Sequence, residues 1–334
     1  MRIATYNVEW FTELFDDHDQ LIMDGSWSSR RDVTKMEQTE ALSRVFKALD
    51  SDAVLVVEAP DQNGKRSSVL ALERFAKFFD LRTKKAIIGF SNDTQQEIAL
   101  LYDPAVLTVR HDPRGTFDAP RFDRDFHIDL DVDENQDIVQ FSKPPLELEL
   151  TTRDGQLLRM IGVHLKSKAP HGARNAADVM RISIANRRKQ LAQAIWLRRR
   201  VVQHLAANES LIVLGDLNDG PGLDEYEDLF GRSSVEIILG EAGKNCLHDP
   251  HARAALSSRL SAKPTTSRFY IHKEKRFLQA LLDYIMVSDD LRSNHPEWRI
   301  WHPFDDQVCW HDPILRQALL TASDHFPVTL DLEI

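Results

Sequence analysis

Near the C-terminus, Ser323-Asp324-His325-Phe326-Pro327-Val328 sets a carboxylate beside an imidazole. Such groups can bind a cation, carry a proton or hold an anion. Similar polar residues border short apolar runs back to the start of the chain: Tyr6-Asn7-Val8, Val56-Val57-Glu58, Val163-His164-Leu165-Lys166, Gly215-Asp216-Leu217-Asn218 and Leu282-Asp283-Tyr284. Glu58, Asp216, Asp283 and Asp324 are hard oxygen donors, and Asn7 and Asn218 add neutral ones. That set suits Mg²⁺, Mn²⁺ or Ca²⁺ better than a soft metal, which argues against a zinc site. His164 and His325 can donate to an anion or act as general acid or base. Metal, imidazoles and amides together point to hydrolysis of a phosphate ester.

These groups need strands to hold them. Ala53 to Val57, Leu157 to Val163, Leu211 to Leu214 and Tyr284 to Val287 are mostly rich in branched and aromatic residues and read as strands. Polar residues at the ends of rigid strands are a common way to build a site. Thr34-Lys35-Met36-Glu37 reads as a capping box before Leu42, Val45, Phe46 and Leu49, which recur at helical spacing. A second helix is expected over residues 68 to 79 and a third, basic one within 176 to 206. Residues 12 to 33 and 111 to 145 read as irregular polar insertions, the latter strongly acidic from Asp129 to Asp137.

Each polar residue taken alone has an ordinary structural use as a turn, a cap, a core histidine or a strand terminus. Asp216 to Pro221 is rich in turn formers. The joint set carries the functional reading. TYNVEWF, VVEAPD, GVHLKSK, VLGDLND, LDYIMVS and SDHFPV, in that order, resemble the endonuclease/exonuclease/phosphatase superfamily over nearly the whole chain. The HLKSK form looks most like bacterial nucleases of that superfamily. The resemblance implies an α/β fold, a four-layer α/β/β/α sandwich of two packed mixed sheets flanked by helices, in a single domain over 1–334.

Carried over residue by residue, the resemblance implies Glu58 as principal metal ligand with Asn7 beside it. Asp324 would complete the coordination or act through water. Asp216 would orient or deprotonate the attacking water, and Asn218 would hold that Asp or the phosphate. His325 would contact the scissile phosphate, with Asp283 fixing its ring from behind. His164 would be a phosphate ligand or the acid for the leaving oxygen, and Lys166 and Lys143 would bind phosphate. Two positions depart from the family pattern. Val57 stands where Gln is common, and Lys143 stands where Arg is frequent, which removes a bidentate fork.

Composition is compatible with an enzyme. The 334 residues are 42% hydrophobic and can bury a large core. Two cysteines, Cys246 and Cys309, exclude a disulfide framework. No GxGxxG, GxxxxGK[ST] or GxSxG motif is present, which removes the dinucleotide, P-loop and serine-hydrolase readings. His248-Asp249-Pro250-His251 reads as a loop rather than a metal clip. No run is apolar enough to span a membrane, the first strand begins almost at Met1, and the expectation is a cytoplasmic monomer.

The formal net charge is −10, yet residues 155 to 205 hold eleven Lys or Arg against Asp178 alone. That segment could attract and orient a phosphate backbone, or simply line a solvated helix. The expected activity is therefore a divalent-metal-dependent phosphodiester hydrolase, a nuclease acting on nucleic acid. The alternative is a phosphatase or phospholipase acting on inositol phosphates, sphingomyelin or a soluble phosphate ester.

Overall fold

The computed structural model describes all residues except 130–136, 171, 221–230, 242, 244, 258–261 and 272–273. In chain order the first half holds β1 (Arg2–Asn7), α1 (Lys35–Leu49), β2 (Ala53–Ala59), α2 (Ser68–Phe78), β3 (Lys85–Ile88), β4 (Glu97–Tyr102), β5 (Leu107–His111), β6 (Phe126–Ile128), β7 (Asp137–Val139), β8 (Leu146–Thr152) and β9 (Leu157–His164). The second half holds α3 (Ala176–Ala206), β10 (Leu211–Asp216), α4 (Ser234–Leu239), α5 (Pro250–Ser257), β11 (Ser267–Ile271), β12 (Arg276–Ala280), β13 (Asp283–Val287), α6 (Asp289–Arg292), β14 (Glu297–Ile300), α7 (Gln307–His311), α8 (Pro313–Ala322) and β15 (Val328–Asp331).

Two mixed sheets carry the architecture. One has the order β14-β15-β1-β2-β4-β3, the other β13-β10-β9-β8-β5. The pairs β1/β2 and β9/β10 are parallel and the remaining neighbours antiparallel. The central strands are apolar on both faces, and their period of two divides the side chains between separate cores. Ile3, Leu55, Met160, Ile212 and Leu214 fill the layer between the sheets. Tyr6, Val54 and Val56 pack with α1, α2 and α8 on one outer face. Ile161, Val163, Leu211 and Val213 pack beneath α3, α4 and α5 on the other. Helix, sheet, sheet and helix give the expected four layers.

The sheets approach closely where β9 carries Gly162, since a Cβ there would lie 2.4 Å from Leu55 Cδ1. Truncating Leu55, which is fully buried, would cost about 2–5 kcal/mol.

Thr34 forms the expected capping box with Glu37 ahead of α1. The basic helix runs Ala176–Ala206, and its buried stripe passes through Leu191, Ala194, Leu197 and Val201. One expectation is corrected. His248 to His251 is not a plain loop: His248 bridges to Val287, Asp249 Oδ1 accepts from Ala252 N at 2.9 Å, and Pro250 and His251 begin α5, Pro250 at the first helical position, where its missing N–H costs nothing. Much of the acidic stretch from Asp129 to Asp137 lies outside the described residues, as does Pro221.

Candidate active site

Each sheet presents strand ends at the same edge of the molecule. The strands expected from the sequence extend onto the polar residues themselves: β1 finishes at Asn7, β9 at His164, β10 at Asp216, and β13 begins at Asp283. Asp216 is in register with His164 on one side and Asp283 on the other, so these three stand in a row across the second sheet. Asn7 reaches across from the first sheet, its Nδ2 donating to Asp216 Oδ2 at 3.0 Å. Gly215 is required just before Asp216. Its φ is +132°, and a Cβ would lie 2.0 Å from Val163 O.

Glu58 is delivered differently. The register of β2 against β4 shifts between Val57 and Ala59, and Glu58 sits in that bulge with φ +59°. A left-handed glutamate is uncommon and strained, and the bulge turns its side chain toward the site. Trp10 N donates to Glu58 Oε2 at 3.2 Å and Gln96 Nε2 donates to the same oxygen at 2.7 Å.

The loop before β15 supplies Asp324 and His325. Ser323 Oγ donates to Asn7 O at 2.8 Å and accepts from His325 N at 3.1 Å, tying this loop to β1. Asp324 N donates to Glu9 Oε2 at 3.2 Å, and Arg30 also pairs with Glu9.

His325 and Asp283 form a buried dyad, with Nδ1 and Oδ2 2.7 Å apart. Burial opposes a charged ring, but the Asp283 carboxylate, helped by Asp216 and Asp324, holds the His325 pKa well above its ordinary value. Its Nδ1 is engaged by Asp283, so Nε2 remains for a ligand. His164 behaves oppositely. Burial, the ammonium of Lys143 and the neighbouring His325 push it well below its ordinary value, so it is neutral. Lys143 Nζ lies 3.2 Å from His164 Nδ1 and donates to Gln96 Oε1, and burial lowers its pKa against the pull of Glu58 and Asp216.

Asp216 accepts from Asn218 N at 2.7 Å and Asn218 Nδ2 at 3.2 Å, with Asn218 itself in the left-handed region at φ +49°. Burial raises Asp216 to about 7, Asp283 adding to the rise and His325 opposing it. Burial, with Glu9, also raises Asp324 to about 7.

These groups line an open cavity of about 1030 Å³. Asn7, Glu58, Lys143, His164, Lys166, Asp216, Asn218, Asp324 and His325 all border it, and Asp283 stands behind His325. The structure thus brings every expected site residue to one place, with Lys166 at the rim and its backbone N–H held by Gln193 Oε1.

A hard cation fits this chemistry. Asn7 Oδ1 is buried without a hydrogen-bond partner, because Asn7 turns its amide nitrogen toward Asp216. An orphaned carbonyl oxygen among carboxylates suits a divalent ion. Asp216, Asp283 and His325 also place ligand atoms within 4.8 Å of one another, although Asp283 and His325 already bond to each other.

The expectation for the basic segment is corrected in part. Arg187 is buried and pairs with Asp219 at 2.6 Å, and Arg200 is buried 3.0 Å from Glu147. Arg159 pairs with Asp112, Glu149 and Glu209, and Arg198 donates to Ile238 O, Leu239 O and Asn245 O. Much of this charge holds the second sheet to its helices. Lys166, Lys168 and Arg187 border the cavity, the last two on Asp219.

Gln96, Glu9, Trp10 and the β11/β12 hairpin were not singled out from the sequence. Glu9 and Trp10 lie inside the TYNVEWF motif. Gln96 immediately precedes β4, and polar residues bordering strands were the signal used elsewhere.

The chain matches the model of the Endonuclease/Exonuclease/phosphatase family over residues 4–325. No curated protein matches it at the sequence level. Among solved structures it is similar to truncated TDP2 of Caenorhabditis elegans, with 15% identity, TM-score 0.52, and 98% of this chain and 96% of that one covered. It is also similar to an endonuclease/exonuclease/phosphatase family protein of Bacteroides thetaiotaomicron, with 14% identity, TM-score 0.50, and 100% and 98% covered. A humanized D. rerio TDP2 aligns at 12% identity and TM-score 0.50, covering 99% of this chain and 98% of that one. Such identities speak to the fold alone; the family match adds the activity class, and the chain belongs to the Endonuclease/Exonuclease/phosphatase family of hydrolytic phosphoesterases.

Proposed function

We propose that this protein is a divalent-metal-dependent phosphodiesterase, and specifically a nuclease, that directs water in line at phosphorus. The observation that carries the reading is the geometry of one cavity: His325 Nδ1 lies 2.7 Å from Asp283 Oδ2 and His164 Nδ1 lies 3.2 Å from Lys143 Nζ, with Asp216 in register between Asp283 and His164. Cationic donors and a neutral imidazole at fixed positions match the charges of a phosphoryl transition state.

Asn7, Glu58 and Asp324 would hold Mg²⁺ or Mn²⁺, with Asn7 offering its orphaned carbonyl oxygen. When bound, the ion supplies charge neutralisation at the phosphate and at the leaving oxygen. Asp216 takes the proton of the attacking water. Its raised affinity for a proton makes it an effective base near neutral pH. The two Asn218 donors and Asn7 Nδ2 fix the orientation of that carboxylate. His325 directs Nε2–H at a non-bridging oxygen as negative charge develops there, while Asp283 keeps the ring charged and oriented. His164 lies 3.7 Å from Asp216 and beside Lys143, so the two would act as phosphate ligands, with Lys143 stabilising charge on the phosphate oxygens. Nucleic acid is the proposed substrate because the cavity is large, open and bordered by Lys166 and Lys168.

The test is a panel of labelled single- and double-stranded DNA and RNA beside phosphomonoesters and sphingomyelin, each with Mg²⁺ or Mn²⁺ and with EDTA. Metal-dependent polymer cleavage is expected. Intact nucleic acid together with release of phosphate or phosphocholine would overturn the nuclease assignment.

A further inference from the structure

A second depression of about 650 Å³ adjoins the catalytic cavity, sharing Glu9, Phe269, Tyr270 and Asp324 with it. Its wall is the β11/β12 hairpin. Arg268 N donates to Asp324 O at 2.7 Å, and Phe269 packs edge-on against His325 with ring centroids 5.4 Å apart. The hairpin is therefore anchored directly on the two residues that begin β15's approach to the site.

Arg268 lies in this depression with its Cζ 3.5 Å from the centroid of Phe277 and 5.7 Å from that of Phe304. Among the described residues its side chain has no carboxylate or other hydrogen-bond partner, whereas the nearby charges are matched. Arg30 pairs with Glu9, Arg31 with Asp32, and Glu37 is engaged in the capping box of α1. A guanidinium centred over an aromatic ring can keep N–H groups free for a planar or tetrahedral anion. Phe277 and Phe304 are 46% and 39% exposed, so ring surface is available beside those groups. Exposed rings next to a cation form the type of platform on which unpaired bases stack.

We propose that this depression binds the phosphodiester next to the scissile one in an unpaired nucleic-acid strand, with Arg268 as the phosphate ligand and Phe277 as a base-stacking surface. The inference rests on the nuclease reading above. A substrate with one phosphate occupies the catalytic cavity alone and has no use for this second anion receptor.

The experiment compares wild type, Arg268→Ala and Arg268→Lys on a single-stranded oligonucleotide and on bis(p-nitrophenyl) phosphate, a diester with no second phosphate. For Arg268→Ala, KM for the oligonucleotide should rise by about tenfold or more, the scale of a lost charged hydrogen bond. Kinetics on the small diester should be unchanged. Oligonucleotide binding should lose about 0.7 from its slope of log affinity against log salt. Arg268→Lys, which retains charge without the fork, should fall between, and it serves as the reporter should the alanine variant fold poorly. An unchanged oligonucleotide KM, or an equal loss on both substrates, would overturn the subsite while leaving the nuclease intact. Hydrolysis of the small diester by wild type with no cleavage of any oligonucleotide would overturn the nuclease reading and the subsite with it.

Discussion

β9 and β10 are bordered by clusters of ionisable residues at both ends, and the two ends are built on opposite terms. At the start of the strands, Arg159 pairs with Asp112 at 2.6 Å, Glu149 at 2.8 Å and Glu209 at 3.2 Å, and Arg114 adds a bidentate pair with Glu209. At their far ends, His164 and Asp216 meet Asp283, Asn7, Glu58 and Asp324, with Lys143 the nearest cation to His164. Asn7 Oδ1 and Asp283 Oδ1 are left without partners there. The first network is saturated and acts as structure. The second is crowded with acid and under-compensated, an arrangement that costs stability and is retained where a substrate and a cation complete it.

Substitutions should separate the two ends. Asp216→Asn should lower kcat by roughly 10²–10⁴-fold, the range of a lost general base. It removes a buried carboxylate but sets an amide NH2 against one of the donors that Asp216 accepts from, so thermal unfolding should shift by only the equivalent of about 1–2 kcal/mol. Activity within a fewfold of wild type would mean that Asp216 is only a turn residue. Arg159→Met at the opposite end should do the converse. It removes the buried cation these three carboxylates share, while Arg110 and Arg114 still pair with them, and should destabilise the fold by about 2 kcal/mol in urea unfolding, with kcat retained at permissive temperature. A selective loss of kcat in a stable Arg159→Met protein would erase the distinction.

Glu209→Gln should have the smallest effect, about 1 kcal/mol, since the carboxylate is partly exposed. Its size depends on pH. Burial raises this carboxyl, but Arg114 and His204 outweigh burial and hold it down to about 2 from 4.5. The stabilisation is therefore fully present above 4.5 and is lost as pH falls toward 2. The stability gap between wild type and Glu209→Gln should close across that window. A gap that stayed constant would show that Glu209 is not held by its ion pairs.

The strand ends were legible because hydrophobic period and polar termini coincide: each anticipated run has a flagged polar residue within two positions of one of its ends. The capping box at Thr34 and the span of the basic helix were legible for the same local reasons. What Arg187, Arg200 and Arg159 do was not legible, because their partners Asp219, Glu147 and Glu209 are tertiary and distant in the chain. The bulge at Glu58 was equally hidden. Nothing in Val56-Val57-Glu58 announces a left-handed φ, which arises from a register shift against β4. Gln96, which bridges Glu58 and Lys143, was invisible until β4 was paired with β2.

The acid-rich end is claimed to be a metal-dependent hydrolytic site centred on Glu58. The most direct test titrates Mg²⁺ against cleavage of a labelled DNA oligonucleotide by wild type and Glu58→Gln. Cleavage by wild type should require the ion and vanish in EDTA, and Glu58→Gln should need far more Mg²⁺ or fail at all concentrations. Cleavage that persists in EDTA, or an unaltered Mg²⁺ profile in Glu58→Gln, would contradict the account.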